Sequence, residues 1–335
     1  MTKKTVQLKL NELPFAPADD IAAAAIDAVK HGNRYPEFDS AELRAALAKH
    51  IGVPVDWVAV GTGSAGVIQQ IAIASGRGDI AFGWPSFDAF PEIAKGMHMP
   101  VHKVALKDGA VDLDKLLAAI TPKTTVVIIC TPNTPTGGIL KHNDLATFMD
   151  KLPKYVVAII DEAYGEFVRD PQAVRALELV RQYPNAMLTR TFSKAYGLAG
   201  FRVGYAVAQP QLAQDVRQAG IFFAVPLPAQ AAALAALKHT QEAAERVEAV
   251  IAERDRMAQL LREQGAAVMA SHANFVWLPV GELAVELTEA LAVLGVLIKV
   301  FPDEGVRITV GTAGETDALI AAWQQLPAQL KAPSI

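Results

Sequence analysis

The stretch Val156-Val157-Ala158-Ile159-Ile160-Asp161-Glu162-Ala163-Tyr164 decides the fold class of this 335-residue chain. Its unbroken apolar run, mostly β-branched, predicts a strand buried on both faces, which is typical of a parallel sheet covered by helices. Asp161 follows at the carboxyl end of that strand. Ligands of open α/β sheets bind at this edge, and a carboxylate there needs a cationic or hydrogen-bonding partner. Taken alone, the segment also permits Asp161 to cap a following helix.

Similar apolar runs alternate with helical stretches on both sides of this segment, between about residues 50 and 235. The further predicted strands are Trp57–Val60, Ile80–Gly83, Val126–Cys130, Ala186–Thr189 and Val203–Val207. Strands separated by helix-length connections predict an α/β domain with a mostly parallel sheet.

The last hundred residues have a different pattern. After Pro226 and Pro228, apolar residues at helical spacing predict a long helix that ends near Gln264. Predicted strands then lie at Asn274–Leu278, Val296–Phe301 and Val306–Val310, with helices at Ala284–Leu294 and from Glu315. We therefore expect an N-terminal arm over 1–25, a large α/β domain over 26–235 and a small α+β domain over 236–335.

Composition excludes several classes of protein. The chain has 31 Lys and Arg against 35 Asp and Glu, a net charge of −4, and 52% hydrophobic residues, so a disordered chain and a basic nucleic-acid surface are excluded. The single cysteine, Cys130, forms no disulfide framework, and no apolar run is long enough to span a membrane. We expect a cytoplasmic protein without nucleic acid, membrane or metal. His98 and His102 are four apart, but Pro100 between them breaks any helix that would join them in a metal site.

A glycine-rich loop follows the first predicted strand. Gly61-Thr62-Gly63-Ser64-Ala65-Gly66 precedes a predicted helix at Val67–Ala74. Backbone N–H groups and the helix dipole favour an anion at such a place, which predicts a phosphate site. The same letters fit a dinucleotide site, which also needs an acidic residue at the end of the next strand. Asp79 precedes that strand instead, and a purely structural tight turn is the third interpretation.

A lysine stands between a strand end and a second glycine-rich turn, in Thr191-Phe192-Ser193-Lys194-Ala195-Tyr196-Gly197. Burial and a nearby cation such as Arg202 would lower the pKa of its amine, which is the condition for a nucleophile that forms Schiff bases. Taken alone, the segment favours a solvated surface lysine at Lys194.

The phosphate loop, Asp161 and Lys194 together supply the three contacts that pyridoxal 5′-phosphate needs: a phosphate cradle, a partner for the ring nitrogen and an amine. Three further segments extend the pattern: Asn33-Arg34-Tyr35-Pro36, Thr131-Pro132-Asn133-Thr134-Pro135-Thr136-Gly137 and Arg307-Ile308-Thr309-Val310-Gly311. Over nearly its whole length the chain resembles the fold-type I pyridoxal-phosphate aminotransferases of the histidinol-phosphate and aromatic amino acid group. The resemblance implies a mixed, mostly parallel seven-stranded sheet between helices and a smaller α+β domain.

Carried over to matching positions, the resemblance implies a role for each residue. Lys194 would carry the cofactor and move the proton at the substrate α-carbon, and Asp161 would keep the ring nitrogen protonated. Tyr164 would bind the ring 3′-oxygen and Phe87 would stack on the ring. The residues that would hold the phosphate are Ser64, Ala65, Ser193 and Arg202.

Two further roles concern the substrate and a second subunit. Arg307 would bind the substrate α-carboxylate with its bidentate fork. Tyr35 would reach the cofactor phosphate of a neighbouring subunit, so that the resemblance implies a homodimer with shared active sites.

The chain departs from the family pattern at two positions. Thr134 stands where the family has an asparagine that contacts the ring 3′-oxygen and the substrate, so either Thr134 with a water or Asn133 would take over. Lys299 stands where histidinol-phosphate enzymes have an arginine for the substrate phosphate, and a lysine lacks the bidentate fork. This second difference favours the aromatic branch. Phe15, Phe222 and Phe223 are either an apolar substrate pocket or core and interface packing.

From these residues we predict an aminotransferase that moves an amino group from an aromatic L-amino acid, phenylalanine or tyrosine, to 2-oxoglutarate by a ping-pong mechanism. Histidinol-phosphate aminotransferase is the first alternative. A decarboxylase of the threonine-phosphate type shares the architecture and is the second, and a dehydrogenase that uses the glycine loop is the third.

Overall fold

The computed structural model describes residues 5–76 and 78–331 of the chain. Twelve strands form two sheets in this part of the chain. In chain order the strands are β1 Val6–Leu8, β2 Val58–Thr62, β3 Asp79–Trp84, β4 Val101–Lys107, β5 Ala110–Val111, β6 Thr124–Cys130, β7 Val157–Asp161, β8 Ala186–Thr191, β9 Val203–Ala208, β10 Phe275–Leu278, β11 Val296–Phe301 and β12 Gly305–Thr309.

The large sheet has the order β2-β9-β8-β7-β6-β3-β4-β5. Strands β8, β7, β6, β3 and β4 are parallel, while β9 is antiparallel to both β8 and β2. The sheet therefore contains the predicted seven long strands and a two-residue eighth strand at its edge. Because β2 also runs parallel to β8, the carboxyl ends of six strands meet at one edge of the sheet.

Helices cover both faces of this sheet and surround the second one. They are α1 Asp19–Val29, α2 Ala41–Ile51, α3 Gly63–Ala74, α4 Ala89–Gly96, α5 Leu113–Ala118, α6 His142–Lys151, α7 Ala176–Gln182, α8 Pro210–Gln218, α9 Leu227–Ala236, α10 Thr240–Glu263, α11 Ala284–Val293, α12 Ala313–Gln324 and α13 Ala328–Lys331. Two buried apolar clusters fill the spaces on the two faces of the large sheet. The predicted α/β class is confirmed.

The small sheet has the order β1-β11-β12-β10, and a third apolar cluster packs against it. Its edge strand β1 pairs in parallel with β11, so the beginning of the expected N-terminal arm belongs to this sheet. The chain then crosses to the large sheet, where α1 packs against α9. Residues 9–18 thus form a connection between the two sheets, which we call the strap.

Two local expectations were wrong. Helix α3 begins at Gly63 rather than Val67, because the glycine loop is the helix's own first turn. The expected long helix after Pro228 is two helices, α9 and α10, separated at 237–239. Helix α1 crosses the expected boundary between 25 and 26. The expected boundary between 235 and 236 lies at the last turn of α9. Both domain boundaries stay predictions.

No helix within residues 5–76 and 78–331 is both long and apolar enough to cross a membrane.

Candidate active site

A cavity of about 300 Å³ opens at the carboxyl edge of the large sheet, where the small sheet and the strap close over it. Most of the predicted site residues line this cavity. They are Ser64, Ala65, Phe87, Thr134, Asp161, Tyr164, Ser193, Lys194, Arg202, Lys299 and Arg307. Sequence neighbours of strand ends become spatial neighbours here because parallel strands present their carboxyl ends at one edge.

One end of the cavity is built for an anion. Ser64 and Ala65 lie in the first turn of α3, where free N–H groups and the helix dipole give positive potential. Arg202 lies beside this turn and donates from Nη1 to the Ser193 hydroxyl at 3.3 Å and to the Ala199 carbonyl at 2.9 Å. Gly63 has a φ of 74°, and a Cβ there would overlap the Arg202 guanidinium. Glycine at position 63 therefore allows the Arg202 guanidinium to lie against the first turn of α3.

Asp161 lies at the end of β7 and is buried. Its Oδ1 accepts a hydrogen bond from the Thr189 hydroxyl at 2.8 Å, and Cys130 Sγ lies 3.9 Å from Oδ2. No cation within the described ranges forms an ion pair with this carboxylate, and burial raises its pKa to about 6. It caps no helix, because the next helical turn, Gly165–Phe167, has Tyr164 as its N-cap. Asp161 is thus a buried acid that a positively charged ligand group would stabilise in its ionised form.

Lys194 is partly buried, and its amine donates hydrogen bonds to the strap. Nζ donates to the main-chain carbonyls of Asn11 at 2.8 Å and Leu10 at 3.2 Å. Burial and the positive charges of Arg307 and Arg202 lower the pKa of this amine to about 7. A substantial share of the amine is therefore neutral near pH 7, as a nucleophile or base requires.

Arg307 extends from β12 across the cavity toward the large sheet. Its Nη1 donates to Thr134 Oγ1 at 2.9 Å and its Nη2 to the Lys9 carbonyl at 2.8 Å, whereas the buried Nε has no hydrogen-bond partner. Across the described ranges no carboxylate lies within ion-pair distance of this guanidinium. Burial lowers its pKa, so the site holds a desolvated cation that lacks an anion.

Two aromatic residues shape the cavity between these charges. Phe87 packs edge-to-face against Phe90, with ring centroids 5.4 Å apart. Tyr164 is buried and meets Phe275 edge-to-face at 5.2 Å. Burial also raises the pKa of the Tyr164 phenol, so it stays protonated at neutral pH.

Lys299 lies at the rim of the cavity on β11, opposite Arg307 in the strand register. Its Nζ forms an ion pair with Asp88 Oδ2 at 2.7 Å. Asp88 also lines the cavity, so the positive charge of Lys299 is neutralised locally.

Asn133 does not reach the cavity, which corrects the expectation that its side chain contacts a cofactor. Its Nδ2 donates to the Pro85 carbonyl at 3.1 Å and to the Thr136 hydroxyl at 2.8 Å, and its Oδ1 accepts from Ser86 at 2.9 Å. These bonds to its own loop and to the segment after β3 satisfy the amide. Thr134, the next residue, is the one that faces the cavity.

Three other aromatic candidates also lie away from the cavity of this chain. Phe15 packs near Arg246, outside the cavity lining. Phe222 stacks on Phe38 with ring centroids 4.5 Å apart, and Tyr35 lies 5.0 Å from Phe223. Tyr35 is 83% exposed and Phe222 59% exposed. Phe15 and Phe222 are therefore not part of the lining of this cavity, and their place in a substrate pocket stays a prediction.

Sequence reasoning missed Asn11, which lies at the cavity wall and contacts both Tyr164 and Lys194. The signal available was an isolated asparagine before Glu12-Leu13-Pro14, with no strand-end position to single it out.

The geometry of the glycine loop argues against a dinucleotide site. Asp79, the acidic candidate, is the first residue of β3 and pairs with His102 at 2.8 Å at the opposite edge of the sheet. It cannot reach a ligand at the amino end of α3.

A family described as aminotransferase class I and II matches residues 3–322. An aromatic amino acid aminotransferase of Thermobifida fusca is 40% identical over 328 residues, covering 97% of this chain and 91% of the relative. The protein of the same name from Corynebacterium diphtheriae is 43% identical, covering 95% and 92%. The crystal structure of histidinol-phosphate aminotransferase from Sinorhizobium meliloti with pyridoxal 5′-phosphate superposes with a TM-score of 0.88 at 28% identity, covering 96% and 90%.

Proposed function

The chain belongs to the class I and II aminotransferase family, and we propose that it moves the amino group of an aromatic L-amino acid to 2-oxoglutarate in two successive half-reactions. Its cofactor is pyridoxal 5′-phosphate. When bound, this cofactor supplies an aldehyde that takes up the amino group and a ring that withdraws electrons from the substrate α-carbon.

The charges of the cavity fit that cofactor. A phosphate matches the first turn of α3 with Ser193 and Arg202, and a protonated ring nitrogen matches the unpaired carboxylate of Asp161. Phe87 supplies an apolar ring for stacking, and the Tyr164 phenol supplies a donor for the 3′-oxygen. Among residues 5–76 and 78–331, neither Asp161 nor Arg202 forms an ion pair, which is the property expected of a preorganised site.

The remaining groups act on the substrate. We assign Arg307 to the α-carboxylate, because its buried guanidinium has no anionic partner among the described residues and carries a free Nε–H. We assign Lys194 Nζ to the α-carbon proton, which a neutral amine takes up and later returns. Thr134, which accepts a hydrogen bond from Arg307, holds that guanidinium toward the large sheet.

The ion pair between Lys299 and Asp88 is the observation that supports an aromatic substrate. A phosphorylated substrate would need a free cation at the rim, in addition to Arg307 for its carboxylate. Among the cationic residues that line the cavity, Arg202 faces the cofactor phosphate site, Lys194 supplies the amine and Lys299 is neutralised by Asp88. This distribution favours an aromatic donor over histidinol phosphate or threonine phosphate, in agreement with the names of the relatives at 40 and 43% identity.

The first experiment follows single half-reactions. The protein is loaded with pyridoxal 5′-phosphate, and the absorption of the bound cofactor is recorded after addition of L-phenylalanine, L-histidinol phosphate or L-threonine phosphate. We expect L-phenylalanine to convert the cofactor fastest and 2-oxoglutarate to reverse the conversion. Faster conversion by histidinol phosphate would refute the aromatic assignment, and release of carbon dioxide from threonine phosphate would indicate a decarboxylase.

Replacement of Arg307 by lysine is expected to weaken the binding of both amino and oxo acids by about tenfold to a hundredfold, since a point charge replaces a bidentate fork. The charge and most of the volume are kept, so that cofactor content should not change. Michaelis constants for L-phenylalanine and 2-oxoglutarate measure the effect, and Arg256→Lys, an exposed ion-paired arginine on α10, is the control. Unchanged constants for both substrates would refute the assignment of Arg307.

The exposed aromatic residues Tyr35, Phe38, Phe222 and Phe223 support a homodimer. They form one contiguous cluster, and large exposed apolar patches mark interaction surfaces. We propose that a second copy of this chain covers the cluster and that Tyr35 reaches the cofactor phosphate of that copy.

A further inference from the structure

Asn11 lies where the strap passes between the two sheets, and it is 1% exposed. Its φ of 54° places it in the left-handed region, which asparagine tolerates better than most residues. The main-chain carbonyl of Asn11 accepts hydrogen bonds from Lys194 Nζ at 2.8 Å and from Asn274 Nδ2 at 3.1 Å. The residue is thus held by both sheets.

The side chain of Asn11 has a defined orientation. Thr309 Oγ1 accepts from the Asn11 backbone N–H at 2.9 Å and donates to Asn11 Oδ1 at 3.0 Å. Because Oδ1 faces Thr309, Nδ2 faces Tyr164 and donates to its phenol oxygen at 2.8 Å. The hydrogen bonds thus place Oδ1 toward Thr309 and Nδ2 toward the tyrosine.

This orientation has a consequence for Tyr164. An amide N–H can only donate, so the phenol oxygen is the acceptor and the phenol proton must point to another partner. Tyr164 lines the cavity, and the rest of its ring is enclosed by Phe275 and other buried residues.

We propose that Asn11 is a positioning residue: the chain of hydrogen bonds from Thr309 through Asn11 to Tyr164 keeps the phenol a donor toward the cofactor. This rests on the proposed contact between Tyr164 and the 3′-oxygen. Asn11 Nδ2 fills one acceptor position of the phenol, so the proton is available to the cofactor before it arrives.

The first test uses two cofactor analogues and the protein without cofactor. 4-Deoxypyridoxine 5′-phosphate lacks the aldehyde and so binds without a bond to Lys194, and its counterpart without the 3-hydroxyl lacks the proposed acceptor. Thr309→Val leaves Asn11 in place but removes the hydroxyl that orients it. We expect about tenfold weaker binding of the first analogue, unchanged binding of the second, and recovery in Thr309→Ser. Equal losses for both analogues, or no loss, would overturn the proposal.

A second pair of variants separates hydrogen-bond direction from packing. Asn11→Asp keeps the shape but offers only acceptors, so it would draw the phenol proton away from the cavity. Asn11→Gly suits the positive φ and removes the side chain, which leaves the phenol free to donate. We expect Asn11→Asp to bind the 3-hydroxyl analogue more weakly than Asn11→Gly does. A role in packing alone predicts the reverse order and would overturn the proposal.

Tyr164→Phe distinguishes failure of the inference from failure of the assigned cofactor contact. If Tyr164→Phe loses affinity for the 3-hydroxyl analogue and the Asn11 and Thr309 variants do not, only the positioning role of Asn11 is refuted. If Tyr164→Phe binds both analogues as the wild type does, the proposed contact with the 3′-oxygen and the positioning role of Asn11 are both refuted. Neither result depends on which amino acid is the donor.

Discussion

Lys194→Ala is expected to lower turnover by at least about 10⁴-fold while the protein keeps its fold and still binds pyridoxal phosphate without a covalent bond. The amine is partly buried, its pKa is lowered to about 7, and it donates to two main-chain carbonyls of the strap. Alanine removes the one group assigned to move the α-carbon proton. It leaves in place the groups assigned to the phosphate and the ring nitrogen.

The measurement combines turnover with cofactor content after denaturation and filtration. Lys115→Ala is the matched control, because this lysine is 60% exposed on α5 and far from the cavity. Added methylamine should restore part of the lost rate, since truncation leaves space for a small amine. Near-normal turnover of Lys194→Ala, or a covalently held cofactor in that variant, would contradict the mechanism.

The pH dependence of the protein without cofactor has a definite sign. Lys194 gains a neutral, reactive amine as pH rises through about 7, because its folded pKa lies below the ordinary value of 10.5. The rate at which the wild-type protein takes up pyridoxal phosphate covalently should therefore rise through this range and level off above it.

The fold and most of the site were predictable because the candidate site residues directly follow the ends of strands. The apolar run before Asp161 indicated a buried parallel strand, and the order of glycine loop, aspartate and lysine placed three contacts at one sheet edge. Once strands β2, β7 and β8 are parallel, the residues that follow them must lie close together. Local sequence was enough for this part.

The hydrogen-bond partners of Asn11 and Asn133 could not be predicted from local sequence. The partner of Asn11, Thr309, is 298 positions away in the chain, and only the pairing of β1 with β11 brings the strap to β12. Asn133 lies beside Thr134 in the sequence, yet its amide is hydrogen-bonded to Thr136 in its own loop and to Pro85 and Ser86 after β3. The choice between these neighbours depends on backbone direction and competing hydrogen bonds, which a motif does not specify.

Asp161→Asn is expected to reduce turnover by about 10³-fold and, without cofactor, to stabilise the protein at neutral and higher pH. The loss of activity follows from removing the only negative charge assigned to the ring nitrogen. The gain in stability follows from burial: the carboxyl has a pKa of about 6 when folded, against an ordinary value of 3.8. Ionising this buried acid therefore costs free energy that a neutral amide of the same shape avoids.

The sign of the pH effect is determined by these two values. Between about pH 4 and pH 6 the unfolded chain has released the proton of Asp161 and the folded chain retains it, so the wild type loses stability as pH rises. A difference of about two pKa units corresponds to about 3 kcal/mol, reached above about pH 6. Urea unfolding of the cofactor-free proteins should show Asp161→Asn more stable at pH about 8 and equal near pH 4. Asp317→Asn, an exposed control, should show no such divergence.

Cofactor binding should reverse the order of stability of the two proteins. Saturating pyridoxal phosphate gives the wild-type carboxylate a positive partner, so the wild type should gain more stability than Asp161→Asn does. A variant that is less stable than the wild type without cofactor at pH about 8, and that also keeps its activity, would contradict both the burial cost and the assigned partner. In that case the stability cost without cofactor and the activity with cofactor would not both come from Asp161. We expect that its carboxylate accounts for both.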